Sequence, residues 1–405
     1  MTRLNRRQFL SAAAAAYTTH STTQVAKSQA APPLKLGLIG CGRYGVRDLI
    51  PAVFGAGGAE LVALCDIDSA HLSNAIDALK DKQAATPQTF KHYTEMLGMP
   101  GLQGVIIATP PQWHALPFIA ACEAGLDIYC EKPLAYDVRE GLAMVESARK
   151  HNRIVQVGLQ RRQSDVARAV RDYIRQGHPG RIVQAECHIN FACKCPLREP
   201  KEPPASLDWD LWCGPAPLLP YSEAIGHRYW RYEKTTGNGH LVDWGIHMVD
   251  LARFMLDEGP PRTVQAAGGL YELNKQINTP DILTVHYEFA SCPLTWRHRM
   301  WGANAYHPEN YMAVILYGEQ ETIVVTDQQW RTVPEDKNQS STVTTSTTYT
   351  EQRKHHMADW LDAVRTRRDP SMPTEEGYQS TLLVQLGAIA SEVGRKISWD
   401  AARET

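Results

Sequence analysis

Two residues in the second half of this 405-residue chain have the types and the spacing that proton transfer needs. Asp243 and His247 are four residues apart in a segment with helical apolar spacing, so we expect them to share one helix face. A carboxylate beside an imidazole raises the pKa of the ring and orients it, which suits a general base near neutral pH. The alternative is an ordinary helix with a solvated Asp–His pair, and these two residues taken alone favour that alternative.

Lys132 is a second residue that could do chemistry, within Glu131-Lys132-Pro133. It follows the predicted strand 127–130, and ligands of parallel sheets bind at the carboxyl ends of strands. A lysine there could point into the ligand crevice. The other interpretation is a surface Lys–Glu pair, which is worth little. The sequence alone does not decide between them.

A glycine-rich turn must position these groups against a cofactor. The turn directly follows a predicted strand over 34–39 and opens a helix, as a dinucleotide-binding turn does. The first glycine permits the tight turn, the second lets backbone N–H groups approach a pyrophosphate, and the third lets helix and strand pack closely. Asp66 ends the next strand, where a carboxylate accepts hydrogen bonds from the adenosine ribose and repels a 2′-phosphate, which favours NAD over NADP. The motif residues are Gly40, Cys41, Gly42, Arg43, Tyr44 and Gly45.

The elements that carry these motifs alternate between buried apolar runs and helices of ten to fifteen residues. That pattern predicts an N-terminal Rossmann domain, a doubly wound parallel sheet covered on both faces. We place this NAD-binding domain at residues 31–153. We place a second α/β domain, for substrate binding and oligomerisation, at residues 154–405.

The order and spacing of four motifs resemble the glucose–fructose oxidoreductase / inositol dehydrogenase (Gfo/Idh/MocA) family. The motifs are G-x-G-x-x-G from Gly40, A-T-P-P-x-x-H from Ala108, E-K-P from Glu131 and D-W-G-I-H from Asp243. The resemblance implies that the second domain has a large, open, mainly antiparallel sheet, which commonly forms a homo-oligomer, a dimer or tetramer. It also implies a catalytic Lys132 and a cis bond between Lys132 and Pro133.

The resemblance implies roles for the candidate site residues. His247 would take the hydroxyl proton while hydride passes to the nicotinamide, and Lys132 would polarise the oxygen. Asp243 would tune His247 and bind a neighbouring hydroxyl. The implied cofactor contacts are Gly40, Gly42, Arg43, Tyr44, Gly45, Asp66, Thr109, Pro110, His114, Glu131 and Lys132. Flat aromatic rings and arginines suit sugars, so the preferred substrate contacts are Arg161, Trp230 and Arg231, with structural packing as an equal alternative.

These expectations favour an NAD-dependent oxidoreductase acting on a sugar, sugar acid or cyclitol. The first alternative is a redox-neutral enzyme that forms a transient keto-sugar and cleaves, eliminates or epimerises before returning the hydride. The second is a non-catalytic binding protein. The chain has 42 basic and 44 acidic residues, which gives no indication of a nucleic-acid partner. Cys193-Lys194-Cys195 offers too few convergent ligands for a predicted metal site.

The N-terminal segment has the order of an export signal, a charged start and then a short apolar block. Arg6-Arg7 followed by Gln8-Phe9-Leu10 resembles the twin-arginine signal. We therefore predict a signal peptide over 1–30 and a periplasmic or otherwise exported mature protein with no membrane span. A disordered basic tail is the alternative. Export of a folded protein favours a tightly held NAD that is regenerated on the enzyme.

Overall fold

The computed structural model describes residues 32–303, 311–326, 329–335, 343–345 and 348–401. The predicted signal peptide, residues 1–30, lies outside the described residues, so it stays a prediction. In the described ranges, no helix is both long enough and apolar enough to cross a membrane.

The first sheet has six parallel strands: β1 Leu34–Ile39, β2 Ala59–Cys65, β3 Gln88–Phe90, β4 Gly104–Ile107, β5 Asp127–Cys130 and β6 Val155–Val157. Their spatial order is β3-β2-β1-β4-β5-β6, which confirms the predicted doubly wound sheet. Strand order reverses between β1 and β4, so the crevice that binds ligands opens beyond the carboxyl ends of these two strands. Since β6 pairs with β5, the first sheet extends past the predicted boundary at residue 153.

Helices cover both faces of this sheet. Ile106 of β4 packs in one hydrophobic cluster, while its neighbours Val105 and Ile107 pack in the other. That two-sided burial explains why the strands appear as continuous apolar runs. A π-helical turn, Gly45–Leu49, leads into the first helix. The helices of this part are α1 Ile50–Ala56, α2 Ser69–Leu79, α3 Tyr93–Leu97, α4 Ala115–Glu123 and α5 Val138–Lys150.

The second sheet has nine strands: β7 Ile182–Asn190, β8 Thr263–Gly269, β9 Ile282–Glu288, β10 Pro293–Arg299, β11 Met312–Gly318, β12 Glu321–Val325, β13 Gln329–Pro334, β14 Val343–Thr345 and β15 Ile397–Ser398. Their order is β14-β13-β12-β11-β7-β10-β9-β8-β15. β7 and β10 run parallel, and the other neighbours are antiparallel. The predicted open, mainly antiparallel sheet is therefore confirmed.

Two long helices near the end of the chain pack on the sheets, and the second of them contacts both sheets. The remaining helices are α6 Asp165–Arg175, α7 Trp209–Cys213, α8 Lys234–Gly237, α9 Ile246–Leu256, α10 Tyr349–Thr366 and α11 Thr374–Val393. α11 packs against α5 on the first sheet and against α9 and β8 on the second. α10 packs against α1 and buries Trp360 beside Leu36 and Leu38. These contacts fix the end of β5 relative to the start of α9, and both of those positions carry candidate catalytic residues.

Candidate active site

The glycine turn after β1 needs glycine at two positions for steric reasons and could hold a Cβ at a third. Gly40 has φ of +94°, and a Cβ there would lie 2.7 Å from the backbone of Ala108. A Cβ at Gly45 would lie 2.4 Å from the carbonyl oxygen of Gly40. At Gly42 the nearest atom, on His71, is 3.6 Å from a Cβ position. A Cβ at Gly42 would make only ordinary van der Waals contact within the protein, so packing does not require this glycine, and its role fits the close approach of a pyrophosphate to the backbone N–H groups.

A cavity of about 510 Å³ extends from this turn to the end of β2. Its size and its shape along the strand ends suit an extended dinucleotide. Thr109 Oγ1 is buried in the cavity wall, and among the described residues it has no hydrogen-bond partner, so it can bond a ligand. Of the predicted cofactor contacts, the wall contains Gly40, Gly42, Arg43, Tyr44, Asp66, Thr109 and Pro110.

The Asp66 carboxylate is held in place at the adenosine end of this cavity. Its Oδ2 accepts a hydrogen bond from the Cys41 N–H at 2.6 Å, and its Oδ1 accepts one from the Asp68 N–H at 2.9 Å. His71 Nδ1 lies 3.4 Å from Oδ2. Although burial opposes it, the contact with Asp66 raises the pKa of His71. The residues present thus fit NAD, with a fixed carboxylate available to the ribose hydroxyls.

Four predicted cofactor contacts do not line this cavity: Gly45, His114, Glu131 and Lys132. The ring nitrogens of His114 are each 2.8 Å from a carbonyl oxygen, Nδ1 from that of Pro133 and Nε2 from that of Thr109. His114 therefore ties the end of β4 to the Lys132–Pro133 turn. Glu131 is also buried, and burial raises its pKa to about 7. Both residues can position the turn, and direct contact of either with a cofactor stays a prediction.

Lys132 points from the end of β5 to the start of α9. The Lys132–Pro133 bond is cis, as the family resemblance implied. Lys132 Nζ donates hydrogen bonds to Asp243 Oδ1 at 2.8 Å and to the Asp243 carbonyl oxygen at 2.6 Å. Arg231 Nε lies 3.1 Å from Asp243 Oδ2. Burial opposes ionisation of Asp243, but the charges of Lys132 and Arg231 outweigh it and hold its pKa below the usual range.

The predicted pairing of Asp243 with His247 is wrong. Asp243 lies in a π-helical turn, Leu241–Gly245, and its carboxylate contacts Lys132 and Arg231. His247 is buried at the start of α9, where its Nδ1 has no hydrogen-bond partner in the part of the chain that the structure describes. Burial first, and then the charges of Lys132 and Arg161, lower the pKa of His247 well below its ordinary value. The ring is therefore uncharged at neutral pH and can accept a proton.

Of the three predicted substrate contacts, two line the cavity and one lies outside its wall. Arg161 is buried on the turn after β6, with its guanidinium 5.2 Å from the centre of the Tyr349 ring. Trp230 and Arg231 line the cavity, and the Arg231 guanidinium lies 4.3 Å from the centre of the Trp230 ring. Arg231 therefore contacts both the cavity and Asp243. Contact of the three with a substrate stays a prediction.

The sequence patterns did not predict that residues 204–231, here called the cover segment, would close over the adenosine end. The segment bonds to the first sheet at several points along its length. These bonds are Ser69 N–H to Ser206 O at 3.0 Å, Asp208 N–H to Ile67 O at 3.2 Å, Lys91 Nζ to Asp208 at 2.7 Å, and His227 Nε2 to Asp68 at 2.9 Å. Trp113 Nε1 also donates to the carbonyl oxygens of Leu211 and Trp212, each at 3.1 Å. The sequence shows that this segment is rich in tryptophan. It does not show these hydrogen-bond partners, because they lie far away along the chain.

Comparison with known proteins gives matches over both parts of the chain. Residues 34–159 match the Gfo/Idh/MocA oxidoreductase family, NAD-binding Rossmann fold, and residues 171–398 match its C-terminal alpha/beta domain. Inositol 2-dehydrogenase of Leifsonia xyli subsp. xyli is 32% identical over 155 residues, 38% of this chain and 43% of that protein. Levoglucosan dehydrogenase of Pseudarthrobacter phenanthrenivorans is 31% identical over 161 residues, 39% of this chain and 34% of that protein. The chain thus matches less than half the length of these curated relatives.

Two solved structures share the fold over nearly the whole chain. Levoglucosan dehydrogenase in complex with NADH and levoglucosan aligns with a TM-score of 0.71 at 19% identity, covering 90% of this chain and 99% of that one. Aldose-aldose oxidoreductase from Caulobacter crescentus, complexed with glycerol, aligns with a TM-score of 0.70 at 17% identity over the same shares. Since the two family matches span most of the chain, the protein belongs to the Gfo/Idh/MocA oxidoreductase family and carries the NAD-binding Rossmann domain of that family.

Proposed function

We propose that the protein oxidises a hydroxyl group of a sugar, sugar acid or cyclitol with an NAD that it holds tightly. The observation that carries this proposal is the Lys132 ammonium, held on Asp243 close to the uncharged, buried His247. The named activities of the relatives, inositol 2-dehydrogenase and levoglucosan dehydrogenase, support a polyhydroxylated substrate.

Each residue of the group has a distinct task in this proposal. Bound NAD supplies the hydride acceptor. The imidazole of His247 accepts the proton of the substrate hydroxyl, because its lowered pKa keeps the ring unprotonated, although the same lowering makes the ring a weaker base. Lys132 Nζ donates a hydrogen bond to the substrate oxygen as that oxygen becomes a carbonyl. Asp243 orients the ammonium and stays ionised between Lys132 and Arg231.

A turnover assay with candidate sugars, sugar acids and cyclitols tests the proposal. With added NAD, the purified protein should produce NADH from at least one of them. Lys132→Ala should lower kcat by about 10²- to 10⁴-fold, the usual contribution of a group that assists proton transfer. Lys150→Ala, at an exposed position of α5, is the matched control and should keep wild-type turnover. Full turnover by Lys132→Ala would refute the catalytic role of Lys132.

The cover segment supports tight retention of the cofactor. Its bonds cross the adenosine end of the cavity, so a bound dinucleotide leaves only after some of them break. Trp113→Phe removes the indole N–H that bonds Leu211 and Trp212. Losing about 1 kcal/mol of hydrogen bonding should speed NAD dissociation roughly 5-fold. Trp399→Phe, outside the cavity wall, should leave the rate unchanged. Complete loss of NAD from the wild-type protein on simple dilution would contradict tight holding.

A redox-neutral reaction is the second candidate function. The cover segment favours it as well, because an NADH that leaves slowly can return its hydride on the enzyme before it dissociates. Turnover of a glycoside with no added NAD and no accumulated NADH would support this candidate. Steady production of free NADH from added NAD would exclude it and favour net oxidation.

We further propose that the protein is exported by the twin-arginine route and assembles as a dimer or tetramer through its nine-stranded sheet. Replacing Arg6 and Arg7 together with lysine should retain the protein in the cytoplasm, as measured by cell fractionation. Light scattering on the purified protein should give two or four times the chain mass. A periplasmic double variant or a monomeric mass would contradict the respective proposal.

A further inference from the structure

Cys193 and Cys195 differ from the other cysteines in exposure and in spacing. Their sulfur atoms lie 3.2 Å apart, and both side chains are half-buried. The seven other cysteines are all buried and free. The pair follows β7 in a segment without regular structure, and the Cys193 N–H bonds to the Met300 carbonyl oxygen at 2.8 Å. The backbone is irregular but anchored here, and it holds two partly solvent-accessible thiols in contact with each other.

We propose that Cys193 and Cys195 are a reversible thiol–disulfide pair that small-molecule disulfides oxidise. The sulfur atoms need to approach by only roughly 1 Å to reach the ~2.05 Å length of a disulfide bond. Because Lys194 is the one residue between them, that approach changes a single short stretch of an irregular segment.

The surroundings of the pair give its two thiols different tasks. Hydrogen bonds from the Cys195 thiol and the Tyr232 hydroxyl outweigh burial and lower the pKa of Cys193. The same contact and burial raise the pKa of Cys195. Because the Tyr232 hydroxyl hydrogen-bonds Cys193, we assign Cys193 as the attacking thiol and Cys195 as the resolving thiol in thiol–disulfide exchange.

The exchange is balanced with a low-molecular-weight disulfide as oxidant. The Cys193 thiolate attacks one sulfur of oxidised glutathione, which forms a mixed disulfide and releases one glutathione thiolate. Cys195 then loses its proton and attacks the Cys193 sulfur, releasing the second glutathione. The two protein thiols lose two electrons, and one oxidised glutathione becomes two reduced molecules.

Mass spectrometry of the folded full-length protein tests the proposal. After incubation with oxidised glutathione, free thiols are alkylated in denaturant and the protein is digested with trypsin, which cuts after Lys194. Peptides 182–194 and 195–198 should then appear joined by a disulfide, with Cys187 of the first peptide alkylated. Separate, fully alkylated peptides, or a glutathione adduct that never resolves in the wild type, would overturn the proposal.

Two variants separate the roles of the thiols. Cys195→Ser should hold a stable glutathione adduct on Cys193, because the resolving thiol is missing. Tyr232→Phe should keep the final disulfide but form it several-fold more slowly at pH 7, because the thiolate loses a donor. A Cys195 variant that gains no adduct would refute the attacking role of Cys193.

Discussion

Replacing Glu131 with glutamine tests the buried carboxyl group beside Lys132. Glu131 is buried, its Oε1 has no hydrogen-bond partner among the described residues, and burial raises its pKa from 4.5 to about 7. The folded protein therefore binds this proton more tightly than the unfolded chain does. The stabilising contribution is complete below about pH 4.5 and is lost as the pH rises through about 7.

The size of this effect can be worked out from the two pKa values. Their difference of about 2.5 units corresponds to about 3 kcal/mol, since one pKa unit corresponds to ~1.4 kcal/mol. Glutamine cannot ionise, so the variant lacks this dependence. The unfolding free energy of Glu131→Gln minus that of the wild type should rise by about 3 kcal/mol between pH 4.5 and pH 8.

Urea unfolding of the cofactor-free protein at these two pH values measures the difference. All other titrating groups are shared by the two proteins, so their contributions cancel. Glu123→Gln, at an exposed position of α4, is the matched control and should show no pH-dependent difference from the wild type. If Glu131→Gln differs from the wild type by the same amount at both pH values, then the raised pKa and its burial argument are refuted.

Three further predictions concern the glycine turn, a buried ion pair and His247. Gly42→Ala should abolish NAD binding in calorimetry without loss of stability, whereas Gly45→Ala should lower the melting temperature, because only the second Cβ meets backbone. Asp250→Asn should lower the free energy of unfolding in urea by about 3 kcal/mol, because the buried Arg162 guanidinium loses the carboxylate charge of Asp250. In the pH profile of kcat/KM, the midpoint of the decline on the acid side should lie below pH 6.5, because the pKa of His247 is lowered from that value.

The first sheet and its glycine turn could be predicted because their signals are local. A motif such as Gly40 to Gly45 sits between one strand and one helix, and each buried run is a complete strand. Lys132 was a candidate for the same reason, since it lies just beyond the end of a strand at the ligand edge, but only the family resemblance indicated its catalytic role. Features that depend only on neighbouring residues and on strand order were therefore predictable.

The partner of Asp243 could not be predicted, for two physical reasons. The i,i+4 rule assumes an α-helix, but Leu241–Gly245 is a π-helical turn, whose i→i+5 bonds change which residues share a face. Its actual partners, Lys132 and Arg231, come from other elements through long-range packing. The cover segment illustrates the second reason, since Trp113 bonds to residues about a hundred positions later.

The hydrogen atoms of the Lys132 ammonium limit the stereochemistry that the site can accept. An ammonium has three N–H donors in a tetrahedral arrangement. Two are directed at the carbonyl and carboxylate oxygens of Asp243, so among the described residues one direction remains for a substrate oxygen. One hydrogen bond along this direction fixes the place of the reacting oxygen but not the orientation of the ring around it. Once other contacts orient the ring, only one of the two epimers at the reacting carbon can place its oxygen there and direct its C–H bond at the hydride acceptor.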